Sequence, residues 1–472
     1  MRKTKLVITV GPALLEGGPL REVLMHADAL RINASHSTPE ERTPVLRLIR
    51  ETSEALGRRI PVFLDLQGPK WRVGRFETPI ELVPGALGAL FPEGQDAPQG
   101  HAWAVPLPHP ELFKGARPGQ TWLVDDGNLQ LEVVEARGEL LRVKVLRGGL
   151  LKPRKGVAPL GLDVAFDPLT PKDLEDIRWG VEQEVDLFAQ SFVRRASDVQ
   201  ALQATIRAYG GTQPVIAKIE HPKALDHLDE ILDVSWGVMV ARGDLGVELG
   251  VEKVPSIQKR IIRQARMALK PVITATQMLE SMIENAQPTR AEASDIANAI
   301  WDGTDAVMLS AETAAGKYPL ETVQEMANIC SAAEAAEDVQ LDADFTGRSF
   351  GRIDQSIAMG ALFTAHHLGA KALVALTDSG STALWMSRHR IHIPIYALTP
   401  KVATQRKMAL YRNVRPLLMD TSADRDTALE QAAMHLKTRQ IVQPGDVYAI
   451  TCGEPMGAPG GTNMLKICRV EG

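Results

Sequence analysis

Polar side chains able to do chemistry stand at the ends of three short apolar segments of this chain. VIAKIE ends with Lys218 and Glu220, VMVARGD ends with Asp244, and VITAT ends with Thr276. If VIAKIE is a strand, the alternation of side chains puts Lys218 and Glu220 on the same side. Two carboxylates from neighbouring strands suit Mg²⁺ or Mn²⁺, which prefer oxygen ligands. An ammonium beside them would stabilise charge on a transferring phosphoryl group or an enolate.

A further strand end carries polar residues of a similar kind. RINASH contains Arg31, Asn33 and Ser35, which the alternation rule places on one face. Arginine binds phosphate through two parallel hydrogen bonds, so Arg31 is a candidate phosphate ligand. Structural salt bridges are the alternative interpretation of both groups of residues.

The segments that must position these residues alternate regularly between predicted strands and predicted helices. Eight apolar runs before residue 315 alternate with helical patterns, and nearly all end in polar residues. This order predicts a (β/α)8 TIM barrel, whose functional groups lie at the carboxyl ends of the strands. The runs are LVITVG, ALRINAS, PVFLDLQ, DLFAQSF, VIAKIE, VMVARGD, VITAT and DAVMLSAE.

The connection between the third and fourth runs is too long for a loop. It is rich in Pro, Gly and β-branched residues and shows strand-like alternation with turn signals, which predicts a separate small β domain inserted into the barrel over 70–167. Residues 1–69 and 168–340 would form the barrel. Strand patterns in ALVALT, IPIYALT and DVYAIT predict a C-terminal α/β domain over 350–472. In PTRAE, Thr289 and Glu292 have the spacing of a helix capping box.

The composition excludes several classes of function. The 472 residues carry 53 basic and 58 acidic side chains and a formal charge of −5, so neither nucleic acid nor an anionic membrane is an expected partner. The apolar run of the N-terminus is short, which favours a cytoplasmic protein. The three cysteines form no CxxC pair and indicate neither disulfides nor zinc. No GxxxxGK[ST] or strand-linked GxGxxG motif is present, so a nucleotide would bind by another route.

The sequence resembles the pyruvate kinase family over essentially its whole length. The motifs that carry the resemblance are TKLVITVGP, RINASH, LDLQGPKWR, KGV, WGVEQEVD, SFVR, AKIE, MVARGDLGVEL, PVITATQMLESM, PTRAEASDIANAI and MLSAETAAGKYP. The resemblance implies that phosphoenolpyruvate donates its phosphoryl group to ADP. The products would be ATP and enolpyruvate, which is protonated to pyruvate in the last step of glycolysis.

The resemblance also implies roles for single residues. Glu220 and Asp244 would hold the divalent ion, Lys218 would stabilise the transferring phosphoryl group and the enolate oxygen, and the Gly243 backbone and Thr276 hydroxyl would contact the substrate carboxylate or the enolate face. Arg31 would bind the phosphoryl group. The positions that match nucleotide-binding residues of the family are Asn33, Ser35, His36, Arg72 and Lys155.

The resemblance implies that the inserted segment is a β-barrel lid domain, which would close over the barrel mouth and exclude water. Asp125, Asp126 and Gly127 are interpreted first as a hairpin turn and second as a source of one aspartate for lid closure. Many relatives require K⁺ and carry Glu where Lys70 stands here, whereas potassium-independent members have such a lysine with Leu and Gln upstream. K⁺ is therefore not expected to be required, although the family's K⁺ ligands remain, at Asn33, Ser35 and Asp65.

Regulation and assembly are implied in the same way. The loop that follows ALVALT resembles the family's effector loop, with a phosphate expected to be held by Thr377, Ser379, Gly380, Ser381 and Thr382. Because Asp378 is acidic where bisphosphate-responsive members often have a cation, a sugar or nucleotide monophosphate, or no effector, is expected. The resemblance implies a homotetramer. His221, where Asn is commoner in the family, is expected to be a packing variation.

Two alternative functions remain open from the sequence. One is a metal-dependent lyase of the same barrel superfamily, which would also bind pyruvate-like enolates through a Glu and an Asp. Such barrels generally lack the large inserted domain and the nucleotide positions Arg72 and Lys155. The other is a metabolite-sensing paralogue without catalysis, which is disfavoured because every charged residue that the chemistry needs is present.

Overall fold

The computed structural model of the chain describes residues 2–15, 17–162, 164, 167–338, 349–420, 424–456 and 460–471. Within these ranges, eight parallel strands close a barrel, each pairing with its neighbour along the chain once the insertion is set aside. The predicted fold class is confirmed, and every predicted apolar run supplies a strand. The strands are Lys5–Thr9, Ala29–Asn33, Val62–Asp65, Leu187–Gln190, Val215–Ile219, Gly237–Ala241, Val272–Ala275 and Ala306–Leu309.

Helices surround the barrel and bury their apolar sides against it. Leu6, Ile8, Leu64 and Val240 from the strands belong to one continuous buried core with Ile261 and other helix residues. The α-helices are Pro12–Leu15, Leu20–His26, Pro39–Ala55, Pro171–Glu182, Ala196–Ala208, Pro222–Asp226, Leu228–Val234, Arg242–Leu249, Val254–Met267, Arg290–Asp302, Ala311–Ala314 and Pro319–Ala335, and 3₁₀ turns span Ala34–His36, Val251–Lys253 and Glu280–Ile283.

The predicted capping box begins the helix Arg290–Asp302. The Thr289 hydroxyl accepts a hydrogen bond from the Glu292 amide at 3.2 Å, and the Glu292 carboxylate accepts one from the Thr289 amide at 2.7 Å. Each group satisfies a donor that the first turn of a helix otherwise leaves unpaired.

The inserted segment forms mainly antiparallel sheets with a core of their own around the fully buried Trp122. A short helix, Pro110–Gly115, accompanies them. Asp125, Asp126 and Gly127 have φ of 53°, 53° and 87° and connect two antiparallel strands, which confirms the predicted hairpin turn. The strands are Ile80–Leu82, Leu87–Pro92, Ala104–Leu107, Thr121–Val124, Leu129–Arg137, Leu140–Arg147, Gly149–Leu151 and Val157–Pro159.

The C-terminal part is a mostly parallel sheet with helices, and the strands predicted from ALVALT, IPIYALT and DVYAIT are confirmed. Two strands that were not predicted lie at the two edges of this sheet, Val414–Leu418 and the antiparallel Thr462–Arg469. The strands are Ala372–Leu376, Ile395–Thr399, Val414–Leu418, Val447–Gly453 and Thr462–Arg469, and the helices are Ile353–His367, Ser381–Met386, Val402–Met408 and Arg425–Thr438.

A buried ion pair between Arg388 and Asp305 joins this C-terminal sheet domain to the foot of the barrel. The predicted barrel end near 340 and the predicted start of the C-terminal domain near 350 adjoin residues 339–348, which lie outside the described ranges. These boundaries and those of the inserted domain stay predictions. Cys330, Cys452 and Cys468 are free thiols. In the described residues, no helix is both long enough and apolar enough to span a membrane.

Candidate active site

Four charged side chains from the second, third and fifth barrel strands form a continuous chain at the barrel mouth. Asp65 ends the third strand and accepts a hydrogen bond from Arg31 Nε at 2.7 Å. Its other oxygen lies 3.2 Å from Lys218 Nζ, and Lys218 Nζ in turn lies 2.9 Å from Glu220. The predicted proximity of Lys218 and Glu220 is confirmed. We call Arg31, Asp65, Lys218 and Glu220 the strand-end cluster.

Neighbouring polar groups fix the orientation of this cluster. Lys218 donates a hydrogen bond to Ser191 Oγ at 2.7 Å, and Arg31 donates one to Thr9 Oγ1 at 3.1 Å. Glu220 accepts a hydrogen bond from the Phe192 amide at 2.7 Å. Ser191 and Thr9 were not predicted, although both stand where an apolar run ends, which is the signal that identified the other strand-end residues.

The charges of the cluster keep Lys218 protonated. Burial lowers the pKa of Lys218, but the negative charges of Asp65 and Glu220 outweigh burial and raise the pKa above its ordinary value. Burial likewise raises the pKa of Asp65, and Lys218 and Arg31 reverse this shift so that the pKa falls below its usual range. At neutral pH Lys218 is therefore a fixed cation.

Glu220 and Asp244 are the predicted metal ligands, and their chemistry fits a divalent cation. Burial raises the pKa of Glu220, the charge of Lys218 opposes this shift, and the negative charge of Asp244 adds to it, so the pKa lies above its ordinary value. A divalent cation held by both carboxylates would offset this repulsion. Among the described residues no group of three or more His, Cys, Asp or Glu side chains is arranged to hold a metal. A cation here would complete its shell with water and substrate oxygens, as Mg²⁺ commonly does.

Asp244 also contacts the inserted domain through Lys70. Lys70 Nζ lies 2.8 Å from Asp244 Oδ1 and 3.0 Å from Asp126 Oδ1, so one ammonium joins a barrel carboxylate to a carboxylate of the inserted domain. Burial lowers the pKa of Lys70, and Asp244 and Asp126 together raise it above its ordinary value. Asp244 and Asp126 are not among the predicted monovalent-ion ligands. One of those ligands, Asp65, pairs instead with Arg31 and Lys218.

Thr276 adopts a backbone conformation that β-branched residues rarely occupy, with φ of 71°. Its hydroxyl donates to the carbonyl of Ala275 at 2.6 Å and accepts from the Gly243 amide at 2.8 Å. Arg242 donates to the carbonyl of Thr276 at 2.7 Å and thereby supports this conformation. The two predicted substrate contacts, Gly243 and Thr276, are thus adjacent and bonded to each other.

The predicted nucleotide residues occupy two places around the mouth. Asn33 and Ser35 lie in and after the second strand, and the Asn33 side chain accepts from the Ser35 amide at 3.1 Å. Ser35 belongs to the 3₁₀ turn Ala34–His36, so the alternation rule does not extend to it, and its prediction on one strand face with Arg31 was wrong. Burial and the cations Arg31 and Arg72 lower the pKa of His36, which keeps its imidazole neutral.

Arg72 and Lys155 lie where the inserted domain joins the barrel. Arg72 pairs with Gly156 in an antiparallel bridge, and its guanidinium donates to the Arg154 carbonyl at 3.1 Å. Lys155 Nζ lies 2.6 Å from Asp125. We call Lys70, Asp125, Asp126 and Lys155 the lid junction.

A crevice between the barrel and the inserted domain contains two further titratable groups. Glu248 lines it with Lys70 and Asp244, and burial together with the charge of Asp244 raises the pKa of Glu248 to about 7. Glu248 was not predicted, because its position on a short helix after Asp244 has no motif of its own. His221 also lines the crevice, and its Nδ1 accepts from the Lys223 amide at 3.1 Å as a helix cap.

The predicted effector loop in the C-terminal domain is already hydrogen-bonded internally. Thr377 Oγ1 accepts from the Gly380 amide at 2.9 Å, and Thr382 Oγ1 lies 2.8 Å from Thr462 Oγ1. Ser379 and Ser381 are more exposed and bond each other at 3.1 Å. Asp378 lies 3.0 Å from Lys401 Nζ, which supplies a cation beside the loop.

The comparisons with known proteins agree with this geometry. A family model described as pyruvate kinase, barrel domain, matches residues 1–323, and one described as pyruvate kinase, alpha/beta domain, matches residues 355–468. The pyruvate kinase II of Salmonella typhimurium is 39% identical over 476 residues, which cover 100% of this chain and 99% of that protein. The pyruvate kinase of Sporosarcina psychrophila is 41% identical over 475 residues, which cover 99% of this chain and 80% of that protein. The chain therefore belongs to the pyruvate kinase family.

Proposed function

We propose that this phosphotransferase moves the phosphoryl group of phosphoenolpyruvate to ADP at the mouth of its barrel, giving ATP and pyruvate. The observation that carries the residue assignments is the strand-end cluster, in which Arg31 and Lys218 share the buried carboxylate of Asp65. Two cations held beside a pair of carboxylates suit a reaction that moves negative charge between oxygens.

Arg31 would bind the phosphoryl group, whose charge and planar oxygen pairs match a guanidinium. Lys218 would stabilise both the phosphoryl group in transit and the enolate oxygen left when the oxygen–phosphorus bond breaks. Its raised pKa supports a role as a fixed charge and not as a proton donor. Glu220 and Asp244 would hold a divalent cation, Mg²⁺ or Mn²⁺, which supplies charge neutralisation to the substrate oxygens when bound.

Thr276 would face the enolate during its protonation. Its backbone has an unusual φ of 71°, and its hydroxyl accepts a hydrogen bond from the amide of Gly243, the residue before the proposed metal ligand Asp244. Strain of this kind is maintained where surrounding contacts determine the conformation, as the hydrogen bonds from Arg242 do here. When substrate binds, the Gly243 amide would exchange its hydrogen bond to the Thr276 hydroxyl for one to the substrate carboxylate.

The inserted domain would act as a lid over the ADP side of the site. Arg72 and Lys155 would bind nucleotide phosphates, and Asn33, Ser35 and His36 would contribute from the barrel side. Closure of the lid would exclude water, which otherwise competes with ADP for the phosphoryl group.

A coupled assay tests the function directly. Pyruvate formation should depend on both ADP and a divalent cation. Pyruvate-like products formed without ADP would instead indicate the lyase, and binding without turnover would indicate the metabolite sensor. The lid and the family membership favour the kinase over both.

K⁺ independence is a finer proposal. Lys70 provides a permanent positive charge at the mouth, 2.8 Å from Asp244, and a tethered ammonium need not be recruited from solution. The wild-type rate in a potassium-free buffer with tetramethylammonium should match the rate with KCl. A rate that collapsed without potassium and returned with KCl would contradict the proposal. Lys70→Glu is the matched variant, and its activity should require KCl.

An effector of one phosphate group is proposed for the loop formed by Thr377, Ser379, Gly380, Ser381 and Thr382. Ser379 and Ser381 are the more accessible hydroxyls, and Lys401 supplies a nearby cation that Asp378 partly neutralises. Sugar and nucleotide monophosphates should be titrated at subsaturating phosphoenolpyruvate, and Ser381→Asp should abolish any response. Strong activation by a sugar bisphosphate would contradict the preference.

A homotetramer and a cytoplasmic location are proposed from the family resemblance. Light scattering of the purified chain should give the mass of four copies of the 51.4 kDa protein. A monomeric mass with full activity would contradict the assembly.

A further inference from the structure

The start of the helix Pro171–Glu182 is bonded to two loops at the barrel mouth. This helix is the first one after the inserted domain. Lys172 Nζ donates to the carbonyl of Ala34 at 2.7 Å, within the turn after the second strand. Asp173 Oδ1 accepts from the amide of Gly68 at 3.1 Å, in the connection that leads into the inserted domain.

Asp173 fixes the helix start firmly. Its side chain is fully buried, and its second oxygen accepts from the Thr170 amide at 2.8 Å and the Thr170 hydroxyl at 2.7 Å. Gly68 has φ of 67°, and a Cβ there would lie 2.9 Å from the Cβ of Ser191. The geometry of this turn therefore requires glycine, and the helix start is held against a rigid part of the mouth.

Lys172 extends from this fixed base to the turn Ala34–His36. It also lies 2.6 Å from Asp176, which pairs with the buried Arg42. Arg42 lies over the ring of Trp179 at 4.7 Å, so Asp176 and its partners form a packed support behind the turn. The Lys172 ammonium is the part of this support that reaches the turn backbone.

We propose that Lys172 is a positioning residue for the nucleotide half of the reaction. By holding the Ala34 carbonyl, it sets the placement of Asn33, Ser35 and His36 without touching the substrate itself. The inference rests on the nucleotide roles proposed for those residues. Since Arg31 and Lys218 are fixed separately by Asp65, loss of Lys172 leaves the phosphoenolpyruvate side in place.

Steady-state kinetics of Lys172→Met test the proposal. The KM for ADP should rise roughly tenfold, while kcat and the KM for phosphoenolpyruvate change by less than about twofold. Lys172→Arg, which can still donate to Ala34 and pair with Asp176, should restore most of the affinity. The matched control is Lys259→Met, which breaks an ion pair with Asp302 on another barrel helix and should leave all three constants unchanged.

Amide hydrogen exchange provides a second measurement, independent of turnover. A peptide covering residues 33–38 should exchange faster in Lys172→Met than in Lys259→Met, and one covering 67–70, which Asp173 holds, should not. Asp176 keeps Arg42 as a partner in the variant, so the melting temperature should stay close to that of the wild type.

The outcomes separate the proposal from the roles on which it rests. If Ser35→Ala and Arg72→Met raise the KM for ADP but Lys172→Met behaves like Lys259→Met, the positioning role is overturned and the nucleotide roles stand. If Ser35→Ala and Arg72→Met leave that KM unchanged, the nucleotide roles fail and the positioning role fails with them. Equal losses of affinity for both substrates in Lys172→Met would also overturn it, because a general structural defect has that effect.

Discussion

The strand-end cluster and the lid junction both pair lysines with aspartates, yet their surroundings differ sharply. The side chains of Asp65 and Glu220 are 1% exposed, whereas Asp126 is 66% and Lys155 is 38% exposed. All residues of the cluster come from barrel strands or their immediate ends. Those of the lid junction come from the inserted domain and its connection to the barrel.

The difference in exposure means that the two groups of ion pairs differ in the free energy needed to separate them. Breaking a buried pair leaves a charge without compensation and costs about 3–5 kcal/mol, whereas an exposed pair contributes about 0–1 kcal/mol. The charges that would act on the reacting phosphoryl group are therefore fixed before substrate binds. The side chains of the lid-junction pairs are 19–66% exposed, so these pairs should cost less to separate, which would suit the proposed opening of the lid for substrate entry and product release.

The largest expected effect comes from removing the cation at the centre of the cluster. Lys218→Met should lower kcat by about a thousandfold, because a preorganised charge at a developing oxyanion contributes on that scale. Lys270→Met is the control, since its ammonium bonds the Ser235 carbonyl at the opposite end of the barrel. Circular dichroism should show a folded protein in both. Retention of a tenth or more of the wild-type kcat by Lys218→Met would remove this residue from the chemistry.

Asp65→Asn should weaken both the fold and the reaction. The change removes the carboxylate that pairs with the buried Arg31, while Lys218 keeps Glu220, so the free energy of unfolding should fall by about 3–5 kcal/mol in urea titrations. A decrease below about 1 kcal/mol would mean that the cluster behaves like a surface pair.

The strand-end cluster was more accessible to sequence reasoning than the lid junction, for a physical reason. Lys218 and Glu220 are two residues apart on one strand, so alternation alone brings them together. Asp65 was predicted only as a monovalent-ion ligand, because its pairing with Arg31 and Lys218 depends on the closure of the barrel. Strand neighbours are predictable from topology, whereas the side-chain partners across the barrel mouth are not.

The ion pairs of the lid junction depend on how the inserted domain packs against the barrel, which no local sequence pattern predicts. Lys70 was recognised from its motif, but its bonds to Asp244 and Asp126 join residues far apart in the sequence. Glu248 was missed for the same reason, since its raised pKa arises from burial in the crevice beside Asp244. The alternation rule failed at Ser35 because the strand ends at Asn33 and a 3₁₀ turn follows.

Glu248 gives a pH-dependent test at the boundary between the two regions. Its pKa is raised from 4.5 to about 7, so its contribution to stability is fully present below about pH 4.5 and is lost as the pH rises through 7. Glu248→Gln should therefore unfold with a free energy roughly 1–3 kcal/mol higher than the wild type at pH 8 in EDTA. The difference should disappear near pH 4.5. A stabilisation independent of pH would contradict the buried-carboxyl explanation.

The smallest effect is expected from Asp126→Asn, the counterpart of Asp65→Asn in the lid junction. Asp126 is largely exposed and Lys70 keeps Asp244 as a partner, so the free energy of unfolding should change by less than about 1 kcal/mol. Weaker closure of the lid should lower kcat/KM for ADP by about threefold at low ionic strength. That difference should vanish near 1 M salt, where charges are screened within about 3 Å.

Salt dependence is therefore the measurement that distinguishes the two aspartates. The loss of stability in Asp65→Asn should persist at high ionic strength, because the side chains of Arg31 and Lys218 are only 11% and 12% exposed and screening ions approach them poorly. If the loss of kcat/KM for ADP in Asp126→Asn instead persisted at high ionic strength and exceeded about thirtyfold, the pair of Asp126 with Lys70 would act directly on the reacting groups. The lid would then contribute a charge to the chemistry as well as a cover, and the division between the two regions would fail.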